Sequence, residues 1–270
     1  TVGESAAVDS MTDTDIGLVG LAVSGILVGV TLVLSLVWRL GIAREIVVAA
    51  ARALVQLLIV GVALGLVVED DSPLIWTWLW LVSMVVFASW TVGRRAREVP
   101  QARLLALVSF TAAAVVTLGV LFGLGVFEPR GQTMVPLGGM MVGNAMTGTV
   151  VAARRIVAEA RDQRDLIEAR LALGLPSNEA FAPHLREALR TALVPQIEST
   201  KAVGIVFLPG AMTGLILAGV DPVEAVRIQI GVMYLVLGSV ATTTSVMALG
   251  LTRAMFTADH RLRWHPPVEN

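Results

Sequence analysis

The chain is 270 residues long, 56% apolar and only 15% charged, with a net charge of −1 and no cysteine. Soluble domains carry roughly 25% charged residues, so an ordinary soluble protein is excluded, and the balanced charge offers no basic surface to nucleic acid. The absence of cysteine excludes a disulfide framework and a thiolate metal site.

The first 15 residues are acidic and polar and read as a disordered extracytoplasmic tail, with Met11 as a candidate start. Seven apolar runs follow, at 16–38, 46–68, 74–93, 104–127, 131–153, 202–220 and 228–252. The first and fourth hold no ionisable group in 23 and 24 residues, where about 20 apolar residues cross a bilayer. The expectation is an all-α, polytopic integral membrane protein of about seven transmembrane helices. Its permease domain would occupy 16–255, with a tail at 256–270. No basic segment precedes the first run, so it reads as a retained helix and not as a cleaved signal. Of the 20 Lys and Arg residues, 17 fall on one set of connecting segments and two on the other. Positive charge accumulates on the cytoplasmic side, which places the N-terminus outside and the C-terminus inside the cell, in the plasma membrane.

Three kinds of membrane machine compete for seven such helices. A retinal protein needs a lysine buried in a helix, and the sole lysine, Lys201, stands at the entry to the sixth run. An ion-coupled secondary transporter usually places Asp or Glu inside the membrane, and the seven runs contain neither; coupling through backbone carbonyls keeps this alternative open. The third draws energy from a separate subunit, and residues 154–201 are where such a subunit would attach. This stretch reads as a cytoplasmic helical coupling segment. A first helix is expected to continue from the fifth run through 154–173 and stop at Gly174. A second is expected to start at Ser177 as N-cap, carry the apolar stripe Phe181, Leu185, Leu189 and Leu193, and close at Pro195.

Glu168-Ala169-Arg170, with Gly174 six residues after the glutamate and Leu193-Val194-Pro195 beyond, resembles the EAA signature of ABC importer permeases. There a short helix–turn–helix inserts into a groove on the ATPase. Arg170 replaces the second alanine of that signature, and the stretch from glycine to proline is longer. The chain has no Walker A lysine of its own, since Lys201 follows Ser199-Thr200 and not a glycine-rich loop. It is therefore expected to be a transport subunit and not an enzyme, with no cofactor of its own; ATP and Mg would bind the partner. On this reading Glu168, Ala169, Gly174, Phe181, Leu185, Leu189 and Pro195 form the dock.

Three further segments, Val135-Pro136-Leu137-Gly138-Gly139-Met140-Met141-Val142-Gly143-Asn144-Ala145-Met146, Ile167-Glu168-Ala169-Arg170-Leu171-Ala172-Leu173-Gly174 and Leu208-Pro209-Gly210-Ala211-Met212-Thr213-Gly214, resemble hallmark segments of the FetB family of iron-export permeases. Arg52 and Gln56, Pro195, and Arg227 with Gln229 agree in order. The resemblance covers about residues 48–255. It implies a homodimeric membrane subunit paired with two copies of a cytosolic ABC ATPase to drive export. Plant members, linked to aluminium tolerance, are associated with UDP-glucose, so the resemblance defines the machine better than the cargo.

The residues inside the runs bear on that cargo. Gly139-x-x-x-Gly143 and Gly148 allow close helix packing. Asn144 requires hydrogen-bond partners or a watery path, because an unsatisfied buried carboxamide costs a few kcal/mol. Pro209-Gly210 is expected to kink or break the sixth helix, with Thr213 one turn later as a partner for a freed carbonyl. With Arg52, Gln56 and Gln229 these are the substrate-path candidates. Met134, Met140, Met141, Met146 and Met212 are soft donors ill-suited to iron and read as gap-filling side chains. No metal site is assigned, and iron as cargo would travel as a chelate or be caught at the mouths of the path.

Arg52 lies six residues into the second run, about 9 Å from its start, with Gln56 one turn deeper. An Arg52→Gln variant separates an anchor from a cargo contact. An anchor predicts lower expression or thermal stability with transport per folded molecule unchanged. A cargo contact predicts normal folding and ATPase assembly with transport lost in reconstituted vesicles, and full transport eliminates that role.

Overall fold

The computed structural model describes residues 18–67, 73–257 and 259–263; the expected tail at 1–15 and the end of the tail at 256–270 lie outside the described residues. Nine helices run through them. They are α1 (Leu18–Val37), α2 (Ala43–Val67), α3 (Leu74–Arg95), α4 (Ala102–Gly123), α5 (Gly131–Asp162), α6 (Arg164–Ala172), α7 (Ser177–Ala202), α8 (Gly210–Leu217) and α9 (Pro222–Met255). The fold is all-α, with only two isolated bridges among the described residues. By length and composition α3, α4, α5 and α9 are fit to cross a membrane.

The chain divides into two compact units, Thr1–Glu69 and Asp70–Asn270. In the first, α1 and α2 form a hairpin. Its turn carries Arg39 and Gly41 at positive φ and is closed by Leu40 N–H donating to the Ser35 carbonyl at 3.0 Å.

The second unit is built on α5 and α9, of 32 and 34 residues. At 1.5 Å per residue each is about 50 Å long, well beyond the ~30 Å hydrocarbon thickness, and two cores are strung along them. One packs Leu81, Phe110, Met141, Val236 and Val240 from α3, α4, α5 and α9. The other gathers Ala96, Ile156, Ile167, Phe181, Leu251 and Phe256 at the arginine-rich end. Three buried hydroxyls bond back within their own helices: Thr117 to the Ala113 carbonyl at 2.6 Å, Thr149 to Ala145 at 2.7 Å and Thr244 to Val240 at 2.6 Å. Such back-bonding satisfies polar groups where no water is at hand.

Several expectations need correction. The sixth run, 202–220, is not one helix: α7 ends at Ala202, residues 203–209 are non-helical, and α8 has eight residues, about 12 Å. Gly204 at φ 85° turns the chain, and Pro209, which has no N–H, stands as N-cap of α8. The helix expected through 154–173 breaks at Gln163 into α5 and α6. Pro195 does not close the second coupling helix, because α7 runs through Pro183 and Pro195 to Ala202. Ser177 is the first residue of α7 and Pro176 its cap. The helix stop at Gly174 does form. Gly174 sits at φ 88°, its N–H reaches the Leu171 carbonyl at 3.0 Å and that of Leu175 reaches Arg170 at 3.2 Å, the paired bonds of a Schellman turn.

Of the small residues singled out by pattern, Gly148 sets helix spacing and Gly143 does not, and Gly138 joins Gly148. A Cβ on Gly138 would collide with Leu81 of α3, and one on Gly148 would lie 3.1 Å from Val240 Cγ1 and 3.3 Å from Thr244 Cγ2 of α9. Gly143 faces open space. A Gly148→Val substitution should therefore force α5 from α9 and destabilise the unit by about 1–3 kcal/mol. Gly143→Ala should be neutral or mildly stabilising, a contrast read from thermal unfolding in detergent.

Candidate functional site

The candidate residues fall into three places. The first is the arginine-rich end of the second unit, where α6, the Gly174 turn and α7 form a helix–turn–helix. Ile167 on α6 and Phe181 and Ala188 on α7 are fully buried in the core they share with α5 and α9. Phe181 stacks edge-on to Phe256 at 5.8 Å, and Leu185 and Leu189 pack against the same cluster. The stripe expected to dock a partner thus faces the chain's own interior, because α5 and α9 extend far enough to cover it. The outward face of α6 is different. Glu168 and Ala169 are exposed on it, with Leu166 at 45% exposure and Leu173, the residue that caps the helix, at 81%, so two large apolar side chains project from the helix and cap that carry the EAA-like residues. Glu168 is held by Arg164 Nε at 2.7 Å, one turn back.

Polar contacts brace this end. Arg154 pairs with Glu98 at 2.8 Å, tying α5 to the α3–α4 connection. Glu159 on α5 takes Arg155 at 2.7 Å and His184 Nδ1 of α7 at 3.1 Å, in a setting where both Glu159 and His184 are nearly enclosed. Arg170 Nη1 donates to the Ala180 carbonyl at 3.1 Å across the turn. Residues following α9 fold back: Arg263 N–H reaches the Met255 carbonyl at 2.8 Å, and His260 Nδ1 lies 3.0 Å from Ser177 Oγ. Sequence reasoning missed the Glu159–His184 and Ser177–His260 pairs. The residues lie 25 and 83 positions apart, and no local pattern joins them.

The second place is the break between α7 and α8. Gln229, buried to 4% exposure on α9, borders it with Pro209, Met212, Thr200 and Tyr234 around a cavity of about 460 Å³. Gln229 Oε1 has no hydrogen-bond partner. The structure thus brings two path candidates together, Pro209 and Gln229. Thr213 is exposed on α8, and its Oγ1 donates to the Pro209 carbonyl at 3.2 Å. Asn144 stands apart on an exposed stripe of α5 with Gly143 and Thr147, its Nδ2 donating to the Met140 carbonyl at 2.8 Å.

The third place is α2 of the first unit, where Arg52 and Gln56 are exposed one turn apart. Among the described residues no three His, Cys, Asp or Glu side chains gather as a metal centre would need. Met134 and Met141 are fully packed, the latter accepting from Thr117 Oγ1 at 3.2 Å.

The sequence matches the model of the uncharacterised protein family UPF0014 over residues 18–256. The UPF0014 membrane protein STAR2 of rice is 38% identical over 248 residues, 92% of this chain and 86% of that protein. The protein ALUMINUM SENSITIVE 3 of Arabidopsis thaliana is 34% identical over 92% of this chain and 91% of its own length. The probable iron export permease protein FetB of Escherichia coli is 33% identical over 90% and 93%. No solved structure matches the chain.

Burial separates the two faces of the helix–turn–helix energetically. Phe181→Ala should lower stability by about 3–5 kcal/mol through the cavity it leaves, and Leu173→Ala should change it by no more than about 0.5 kcal/mol. Thermal unfolding of the two purified variants checks the difference.

Proposed function

This chain belongs to the UPF0014 family of multi-pass membrane proteins, and from that premise we propose that it is the permease subunit of an ATP-driven exporter, working as a homodimer with a separate cytosolic ABC ATPase. The observation that carries the proposal is the helix–turn–helix of α6 and α7. Its inner face is anchored in the core through Ile167 and Phe181, and its outer face presents Leu166, Ala169 and Leu173 beside Glu168. Apolar side chains at i, i+3 and i+7, here running from a short helix onto its C-cap, are the spacing by which helices enter grooves on partners.

The arginine distribution supports a cytoplasmic location for this end, with the N-terminus outside. ATP and Mg bind the ATPase. Anchoring to the ends of α5 and α9 lets a movement of the docked helix pass into the membrane core as a tilt of rigid rods. A second copy around a two-fold axis completes the pathway. The relative named as a probable iron export permease supports a metal cargo, iron or another, moved free or as a chelate.

Leu166→Asp with Leu173→Asp should leave the permease folded, since both side chains lie outside the core, and should abolish co-purification of the partner ATPase. Stoichiometric ATPase retained on the double variant would sink the docking assignment.

A further inference from the structure

We propose that the groove between α3 and α4, with the arginines at its end, binds one anionic phospholipid, an acyl chain lying along the groove and the phosphate at Arg94 and Arg103. This goes beyond the permease reading and does not depend on an ATPase.

Both walls belong to helices fit to cross a membrane. The groove holds about 420 Å³ between Val82 and Val86 of α3 and Leu107, Thr111, Val115 and Gly119 of α4. Thr111 carries the one hydroxyl on its walls. Val82, Val86 and Val115 are more than half exposed, so the groove is open along one side. From Leu107 to Gly119 it runs about 18 Å, against ~15 Å for one leaflet of a ~30 Å hydrocarbon core. An apolar channel of that length at that depth accommodates an extended acyl chain.

Charge at one end identifies the headgroup. Val86, Trp90 and Arg94 follow at four-residue steps on α3, and Arg103 stands one turn before Leu107 on α4, so both walls continue into arginines. Arg94 lies over the Trp90 ring, 4.8 Å from its centre. The stem of Arg103 crosses α3 at Gly93, where a Cβ would collide with its Cγ. Two cations, one from each wall, are thereby set within a turn of each other on α3. Both are exposed, as are Arg95 and Arg97. The one carboxylate in residues 73–127 is Glu98, and Arg154 takes it at 2.8 Å. Four guanidiniums thus stand at the end of the groove in excess of negative charge. A phosphodiester supplies that charge in a geometry the guanidinium fork matches, and basic pockets between membrane helices bind lipid headgroups in this way. Tryptophan beside the arginines suits the membrane–water boundary. A neutral lipid would fill the groove and leave the arginines to water, and a soluble phosphate would meet the arginines and leave the groove empty.

The test is native mass spectrometry of the purified chain, released from micelles that hold phosphatidylglycerol and phosphatidylcholine with identical acyl chains in equal amount. One phosphatidylglycerol per chain should be retained in preference to phosphatidylcholine. Arg94→Gln with Arg103→Gln should lower that preference roughly five- to twentyfold. Arg186→Gln, which removes an exposed charge from α7, should leave it unchanged. Gly119→Phe sets a ring in the groove where a Cβ would meet no atom within 4 Å, and it should reduce retention of both lipids; Val115→Trp serves if that variant does not fold. Glycerol phosphate, the headgroup without its chains, should not displace the lipid at equal concentration. Equal retention of the two lipids, a preference kept by the double arginine variant or lost equally in Arg186→Gln, retention that survives the filled groove, or displacement by glycerol phosphate would each overturn the proposal. So would efficient disulfide cross-linking of two Val115→Cys chains, which carry no other cysteine, since it would seat a second copy in the groove. No readout involves the ATPase, so failure here is distinct from failure of the docking experiment.

Discussion

A backbone inside hydrocarbon finds no water, and each N–H and C=O there must be satisfied within the protein. The rest of this structure follows from that requirement. All the long elements among the described residues are helices, and the hydroxyls of Thr117, Thr149 and Thr244 turn back onto their own helices. The breaks at Gln163 and at Leu173–Pro176 fall at the arginine-rich end, where the freed groups are caught by local turns. The break at 203–209 is the exception. It is closed by Gly204 N–H to the Phe207 carbonyl at 3.0 Å, and it is also where the cavity lies.

With hydrogen bonds held inside helices, the helices associate by close packing, and small residues decide how near they come. Gly138 admits Leu81, Gly148 admits Val240 and Thr244, and Gly250 admits Leu105. Two cores consequently share α5 and α9 as continuous rods. In the proposed transport cycle these rods join the docking helix to the membrane core. The Glu159–His184 pair and the Phe181–Phe256 contact fasten α7 to them, so the second coupling helix moves with the rods and not independently of them.

The lining of the cavity between α7 and α8 is uncharged. The polar groups bordering the cavity are a carboxamide, a threonine, a tyrosine and backbone, and the methionines of α5 fill space between helices.

The sequence by itself determined the class of protein. Long uncharged runs admit only helices in a bilayer, and α3, α4, the first part of α5 and the middle of α9 stand where those runs lie. The Gly174 stop was legible because a left-handed turn residue carries a local signature, as was the disruption at Pro209, which offers no N–H. Tertiary structure decided the rest. Hydropathy records preference for an apolar environment and does not distinguish lipid from protein, so 202–220 looked like a span although Gly204 and Pro209 leave only eight helical residues in it. The Phe181 stripe had the periodicity of a contact face, but periodicity does not name the partner. The lengths of α5 and α9 made that partner the chain itself. The burial of Gln229 depends on where α8 comes to rest after the break, a long-range outcome that no spacing of residues encodes.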